Sequence, residues 1–274
     1  MKPQDRLPEI RRIVSSIGPM AVGFSAGVDS TLLLKLVHDV LGDQVVAVTT
    51  VSATLPASER EEAGRLAGLI GARHCFVESR ETTDPRYLAN TNRRCYFCKS
   101  ELFRILREEA DGLGLGAIAY GAQRDDLGEF RPGMEAARQY GARAPLLEAG
   151  LGKAEIRSLS RALGLPTWDK PAMACLSSRI PHGTAIDLSD LARVERAEEA
   201  VRSLGFRLFR VRAMGNRARV EIAREEMPRL EAQLLRERLL RSMRDSGFAE
   251  VVLDPEGYRA GGGASFRAGS GEGG

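Results

Sequence analysis

The stretch Gly23–Leu34, GFSAGVDSTLLL, sets small residues and an acidic residue between an apolar run and a leucine-rich run with helical spacing. Asp29 and Ser30 read as caps of a helix whose inward face is Leu32, Leu33, Leu36, Val37 and Val40. Ser25, Ala26, Gly27 and Val28, following Phe24, then form a turn of uncovered amides at the positive end of that helix. Such a turn binds phosphate groups, because its N–H groups point outward and the helix dipole favours negative charge. An ordinary strand-to-helix turn is the plainer alternative. The longer Walker loop is excluded, since no Gly-Lys-Ser or Gly-Lys-Thr ending follows.

Outward from this stretch, short β-rich runs alternate with helical ones. MAVGF (20–24) precedes a helix over 30–41, QVVAVTTV (44–51) precedes a helix over 58–70, and RHCFV (73–77) follows. A helix over 101–110, the run GAIAYG (116–121) and a helix over 153–163 complete the pattern. This order predicts an α/β fold, a mostly parallel sheet with helices on both faces, over residues 1–165. After a loop with three prolines the pattern changes. A helix over 188–204, strands FRLFRVRA (206–213) and RARVEIA (217–223), a helix over 225–243 and the strand AEVVLD (249–254) predict a smaller α+β domain over 166–258. Residues 259–274 are rich in glycine and read as a flexible tail.

Forty basic against 37 acidic side chains leave a net charge of +3, which demands no polyanionic partner and argues against nucleic acid. No window has the apolar length of a membrane helix and the N-terminus lacks a signal-peptide core, so the expectation is a cytoplasmic protein without a membrane partner. In a reducing compartment four cysteines point to metal or redox chemistry rather than disulfides. Cys95 and Cys98 form a C-x-x-C pair, which suits zinc, a dithiol or an iron–sulfur cluster. Zinc would need a fourth ligand from His38, His74 or His182. Cys175 stands in PAMACLSSRIP (171–181) beside Ser177, Ser178 and Arg179, where a cation favours thiolate; its plainer role is a small buried hydrophobe. Cys75, in a strand, reads as packing.

Arg210 and Arg212, two apart in a strand, share one face and could grip a phosphate, unless that face is merely solvated. Arg179 suits a substrate carboxylate or phosphate. Glu198, on the helix before them, is a weaker site candidate.

The loop resembles the S-G-G-x-D-S pyrophosphate loop of the PP-loop ATP pyrophosphatases, with Ala26 where glycine is usual. With FSAGVDS (24–30), RCYFCKSELF (94–103), GAQRDDLGEFRPGMEAA (121–137), APLLEAGLGKAEIR (144–157), GLPTWDKPAMACLSSRIPHGT (164–184) and LDPEGYR (253–259), the chain is similar to the LarE family of sulfur transferases over most of its length. The resemblance implies ATP and Mg2+ as cofactors, held at Phe24, Ser25, Gly27, Val28, Asp29, Ser30 and Gly121, with Asp29 helping to hold the magnesium. It implies a small-molecule nucleotide substrate, pyridinium-3,5-biscarboxylic acid mononucleotide, met by Ser178, Arg179, Glu198, Arg210 and Arg212. Its carboxylates would be adenylated, with loss of pyrophosphate, and converted to thiocarboxylates. Three cysteines imply a [4Fe-4S] cluster on Cys95, Cys98 and Cys175 that carries sulfide from a sulfur donor; members with one cysteine give up its sulfur and end as dehydroalanine. The resemblance also implies a homo-oligomer. GAQRDD departs from the usual G-T-N-x-D-D, which leaves Ala122 and Gln123 without an implied role. A tRNA-thiolating PP-loop enzyme and a non-catalytic nucleotide sensor are the competing readings.

Overall fold

The computed structural model describes residues 3–127, 131–172 and 174–259. The tail read over 259–274 lies outside the described residues from position 260 onward. Two compact units are present: residues 1–87 with 93–173, and residues 88–92 with 174–274. The short segment 88–92 joins the second unit because the Asn90 amide donates to the carbonyls of Pro181 (2.9 Å) and Thr184 (2.8 Å).

In the first unit the order is α1 (Leu7–Ile17), β1 (Met20–Gly23), α2 (Val28–Leu41), β2 (Val45–Val51), α3 (Ala57–Ile70), β3 (Arg73–Glu78), α4 (Pro85–Leu88), α5 (Arg94–Gly112), β4 (Ala117–Tyr120), α6 (Pro132–Gln139), α7 (Pro145–Glu148) and α8 (Lys153–Ala162). The sheet is parallel throughout, in the order β3-β2-β1-β4. Met20, Ala21 and Val22 are all buried, as befits a central strand covered on both faces. One core gathers α1, α2, α3 and α8 against Met20, Val22 and Ala47. The other gathers Phe103, Leu106 and Ala136 of α5 and α6 against Ala21, Val48 and Ile118. The chain steps from β1 out to β3 and returns on the other side to β4. The crevice between β1 and β4, at the carboxyl ends of the strands, is therefore the switch point where such sheets bind ligands.

Three boundaries differ from the sequence reading. The helix after the loop starts at Val28, because the Thr31 N–H already donates to Gly27 O (2.9 Å); Gly27 is its cap and Asp29 lies in its first turn. Next, α5 starts at Arg94 instead of 101, which puts both cysteines of the pair on helix. In the second unit the helix read over 225–243 is broken at Ala232, whose extended ψ of 106° ends the short 3-10 turn Met227–Glu231 and makes it the cap of the helix that follows.

That unit contains α9 (Leu188–Ser203), β5 (Phe209–Met214), β6 (Arg217–Ile222), α10 (Gln233–Asp245) and β7 (Glu250–Leu253). β5 pairs antiparallel and β7 parallel with the central β6. Leu191, Val194, Val211, Val220, Leu239 and Met243 are among its buried side chains.

Candidate functional site

The loop after β1 is shaped by its own small side chains. Ser25 and Ser30 hydroxyls lie 3.1 Å apart, the Ser25 N–H donates to Ser30 Oγ (3.3 Å), and Ser30 Oγ donates to Gly27 O (3.3 Å). Among the described residues the amides of Gly27, Val28, Asp29 and Ser30 meet no protein acceptor. Four uncovered donors at the positive end of a buried helix fit a polyphosphate. Ala26 sits at φ 54°, in the left-handed region. Phe24 contributes only its main chain to the loop edge; its ring is buried edge-on to His74. Val28 is buried as well. Thr49 donates to Phe24 O (2.6 Å), and burial holds the neighbouring His74 below the usual histidine range.

Gly121 follows β4 and lies against the start of α2. A Cβ there would come within 2.9 Å of Ser30 N and 3.1 Å of the Asp29 carbonyl carbon, so only glycine admits this approach. The segment after it caps itself: Gln123 Oε1 accepts from the Asp125 N–H (2.9 Å) and Asp126 accepts from the Gln123 N–H (3.0 Å). This gives Gln123, which had no implied role, a local structural one. Asp125 then accepts from the Lys153 N–H (2.9 Å), and the Arg124 N–H donates to Leu151 O (2.7 Å). The result sets Lys153 Nζ on both oxygens of Asp29, at 2.8 and 2.7 Å. Lys153 was not singled out from the sequence. Its only signal was a lysine opening a helix, where an acidic residue is the usual preference.

The magnesium expected at Asp29 would have to share that carboxylate with the Lys153 ammonium. The thiols divide between the units. Cys95 is exposed and Cys98 half-buried on the first turns of α5, three residues apart and so on one face of the helix; Cys175 is half-buried in the second unit. None forms a disulfide. Soft thiols suit an iron–sulfur cluster, yet among the described residues no group of three or more His, Cys, Asp or Glu side chains is gathered to hold a metal ion.

In the second unit Cys175 opens a 3-10 turn, Leu176–Arg179. Arg179 is wholly buried: its Nε and Nη2 clasp Glu198 at 2.8 and 2.9 Å, and its Nη1 donates to Ala174 O (2.6 Å), Cys175 O (3.1 Å) and Ser178 Oγ (2.8 Å). A guanidinium with no exposed surface anchors the cysteine loop instead of facing solvent. Glu198 also accepts the Val211 N–H (3.0 Å), which joins the loop, α9 and β5 through one carboxylate.

Arg210 and Arg212 share a face as expected, but the face is buried rather than solvated. Arg212 clasps Glu221 at 2.6 and 3.0 Å and donates to Ser178 O (3.1 Å). Arg210 donates to Phe209 O (2.7 Å) and lies over the Tyr258 ring at 5.1 Å; burial, then the nearby Arg179 charge, pulls its pKa down. Glu221 and Tyr258 escaped the sequence reading. Glu221 could have been found as the charged residue opposite Arg210 across the strand pair.

A parallel α/β sheet whose first strand ends in uncovered amides at a helix start, beside the switch point, fits a PP-loop protein. No family model matches the chain. It is 42% identical over 258 residues to an uncharacterised protein of Synechocystis sp., covering 94% of this chain and 96% of that one. It is 35% identical over 243 residues to the pyridinium-3,5-bisthiocarboxylic acid mononucleotide synthase of Lactiplantibacillus plantarum, covering 88% and 87%. A tRNA(Ile)-lysidine synthase of Rhizobium meliloti matches at 29% over 187 residues, 56% of this chain and 40% of that protein. The chain belongs to the family of the pyridinium-3,5-bisthiocarboxylic acid mononucleotide synthase, the LarE family. Among the described residues no helix is long and apolar enough to cross a membrane.

Proposed function

We propose that this protein is an ATP-dependent sulfur transferase that adenylates the carboxylates of pyridinium-3,5-biscarboxylic acid mononucleotide and converts them to thiocarboxylates. The observation that carries the reading is the row of uncovered amides at Gly27–Ser30 with Lys153 fixed beside it on Asp29. These amides and the ammonium would take the pyrophosphate as its charge develops at the leaving oxygen. Magnesium, when bound, would screen the triphosphate, with Asp29 as its protein ligand. In the second unit the guanidiniums of Arg179, Arg210 and Arg212 lie buried together with Glu198 and Glu221. Guanidiniums so gathered suit an anionic substrate, with Arg210, Arg212 and Ser178 as its contacts. Arg179 and Glu198 serve that site by holding the Cys175 loop.

The sulfur source is proposed to be a [4Fe-4S] cluster on Cys95, Cys98 and Cys175, which when bound would offer an open iron for hydrosulfide. The alternative is that Cys175 gives up its own sulfur, with the C-x-x-C pair idle or repairing it. Incubation with ATP and the pyridinium dicarboxylate should release AMP and pyrophosphate in step with thiocarboxylate, read by chromatography and mass spectrometry. ATP binding without either product would refute the enzyme assignment, and thiolated nucleosides formed from tRNA would redirect it.

A further inference from the structure

Glu81 belongs to neither the loop, the thiols nor the arginine cluster, yet it is 5% exposed. It opens the 3-10 turn Glu81–Thr83 just after β3. One carboxylate oxygen accepts from the hydroxyls of Ser52 and of Thr54 (3.1 Å for Thr54), and the other accepts from the Ser79 hydroxyl. Ser52 and Thr54 form the turn that follows β2, closed by the Leu55 N–H on Ser52 O (3.1 Å). The Ser52 and Thr54 oxygens lie 2.9 Å apart. Ser52 Oγ also accepts the Thr54 N–H (3.2 Å), so the turn is held both by its own backbone and by the acceptor that its two hydroxyls share. A carboxylate is costly to bury unless donors surround it, and here the donors come from two successive strand ends.

Those strand ends lie on the same edge of the sheet as the glycine loop. Lys170 ties the first turn of α3 to that loop, with its Nζ on Ala26 O (3.2 Å) and Glu59 Oε2 (2.7 Å). On the opposite side of the loop, the backbone at Gly121 lies against the start of α2 with no room even for a Cβ. A nucleotide whose phosphates lie on the α2 amides is then flanked by Gly121 on the β4 side and by the turn after β2 on the other. There the turn presents Ala53 as an exposed tip.

We propose that Glu81 is a positioning residue for the adenylation step: through Ser52 and Thr54 it sets the turn against which the nucleoside of ATP rests. The inference depends on ATP binding at the glycine loop. Calorimetric titration of the wild type and of Glu81→Ala with ATP, AMP and pyrophosphate tests it. Glu81→Ala should raise the Kd for ATP and AMP by about tenfold or more while leaving that for pyrophosphate unchanged, since pyrophosphate meets only the loop amides and Lys153. Should Glu81→Ala not fold, Glu81→Gln, which keeps the volume but turns an acceptor into a donor, is read in the same way. Unchanged ATP and AMP affinity in the variant overturns the proposal, and so does an equal loss for all three ligands, which marks a purely structural role. Wild-type protein that binds neither ATP nor pyrophosphate would instead end the nucleotide reading on which the proposal stands.

Discussion

Ala26 shows how the glycine loop tolerates a residue other than glycine. Its φ of 54° and its complete burial act in opposite directions. Ala26→Gly would relieve roughly 1–2 kcal/mol of left-handed strain, lose about 0.8 kcal/mol with the buried methyl, and lose roughly 0.5–1 kcal/mol to the freer unfolded chain. These terms nearly cancel. The expected outcome is a stability within about 0.8 kcal/mol of wild type in urea unfolding, from the sum of the same terms. Ala26→Val, which puts a β-branched side chain at positive φ in a filled core, should cost more than about 2 kcal/mol. A stabilisation of Ala26→Gly well beyond that margin would mean the strain is larger than this and held by other contacts, such as Lys170 on the Ala26 carbonyl.

Among the elements, the 3-10 turn after Cys175, α9 and β5 meet at the Arg179–Glu198 pair. Removing one partner leaves the other charged and buried, so Arg179→Met should destabilise the second unit by about 3–5 kcal/mol. The double variant Arg179→Met with Glu198→Leu should recover much of that stability while losing the fixed course of the Cys175 loop. Urea unfolding reads the first effect and alkylation of Cys175, faster in the double variant than in wild type, reads the second. Equal alkylation rates would deny the pair its anchoring role. This junction also marks the limit of what the sequence discloses. The strand–loop–helix unit at 20–41 is legible because small turn residues and an apolar run adjoin, and each signal is local. α5 hides its start because Arg93, its cap, makes no side-chain capping bond to the helix and turns instead to Glu135 (3.0 Å), and the first turn is basic and aromatic. α1 is open to the same kind of reading, since Leu7, Ile10, Ile13, Val14 and Ile17 recur at helical spacing on the face it buries. Lys153 on Asp29 is out of reach, 124 positions apart and visible only once α8 is placed by Asp125. Arg210 and Arg212 follow the strand period, but their burial comes from Glu221 and from Tyr258 beyond β7.

At the scale of the whole molecule, the thiols ask something of both units at once. Cys95 and Cys98 are fixed by one helix of the first, and Cys175 by the arginine-held turn of the second. The proposed cluster on all three would bind only the folded protein and so would add stability by mass action. Anaerobic reconstitution should then give a brown protein with about four iron atoms per chain. Cys95→Ala, Cys98→Ala and Cys175→Ala should each lose the colour and the iron, and chelation should lower the wild-type melting temperature towards theirs. Cys75→Ala is the control that should keep its iron, because Cys75 points its thiol at Ala47 O (3.7 Å) in the sheet and burial raises its pKa, which disfavours the thiolate a metal needs. If the wild type stays colourless and intact-mass analysis after one turnover shows Cys175 lighter by hydrogen sulfide, the residue's own sulfur is the one transferred. The C-x-x-C pair would then have no part in supplying it.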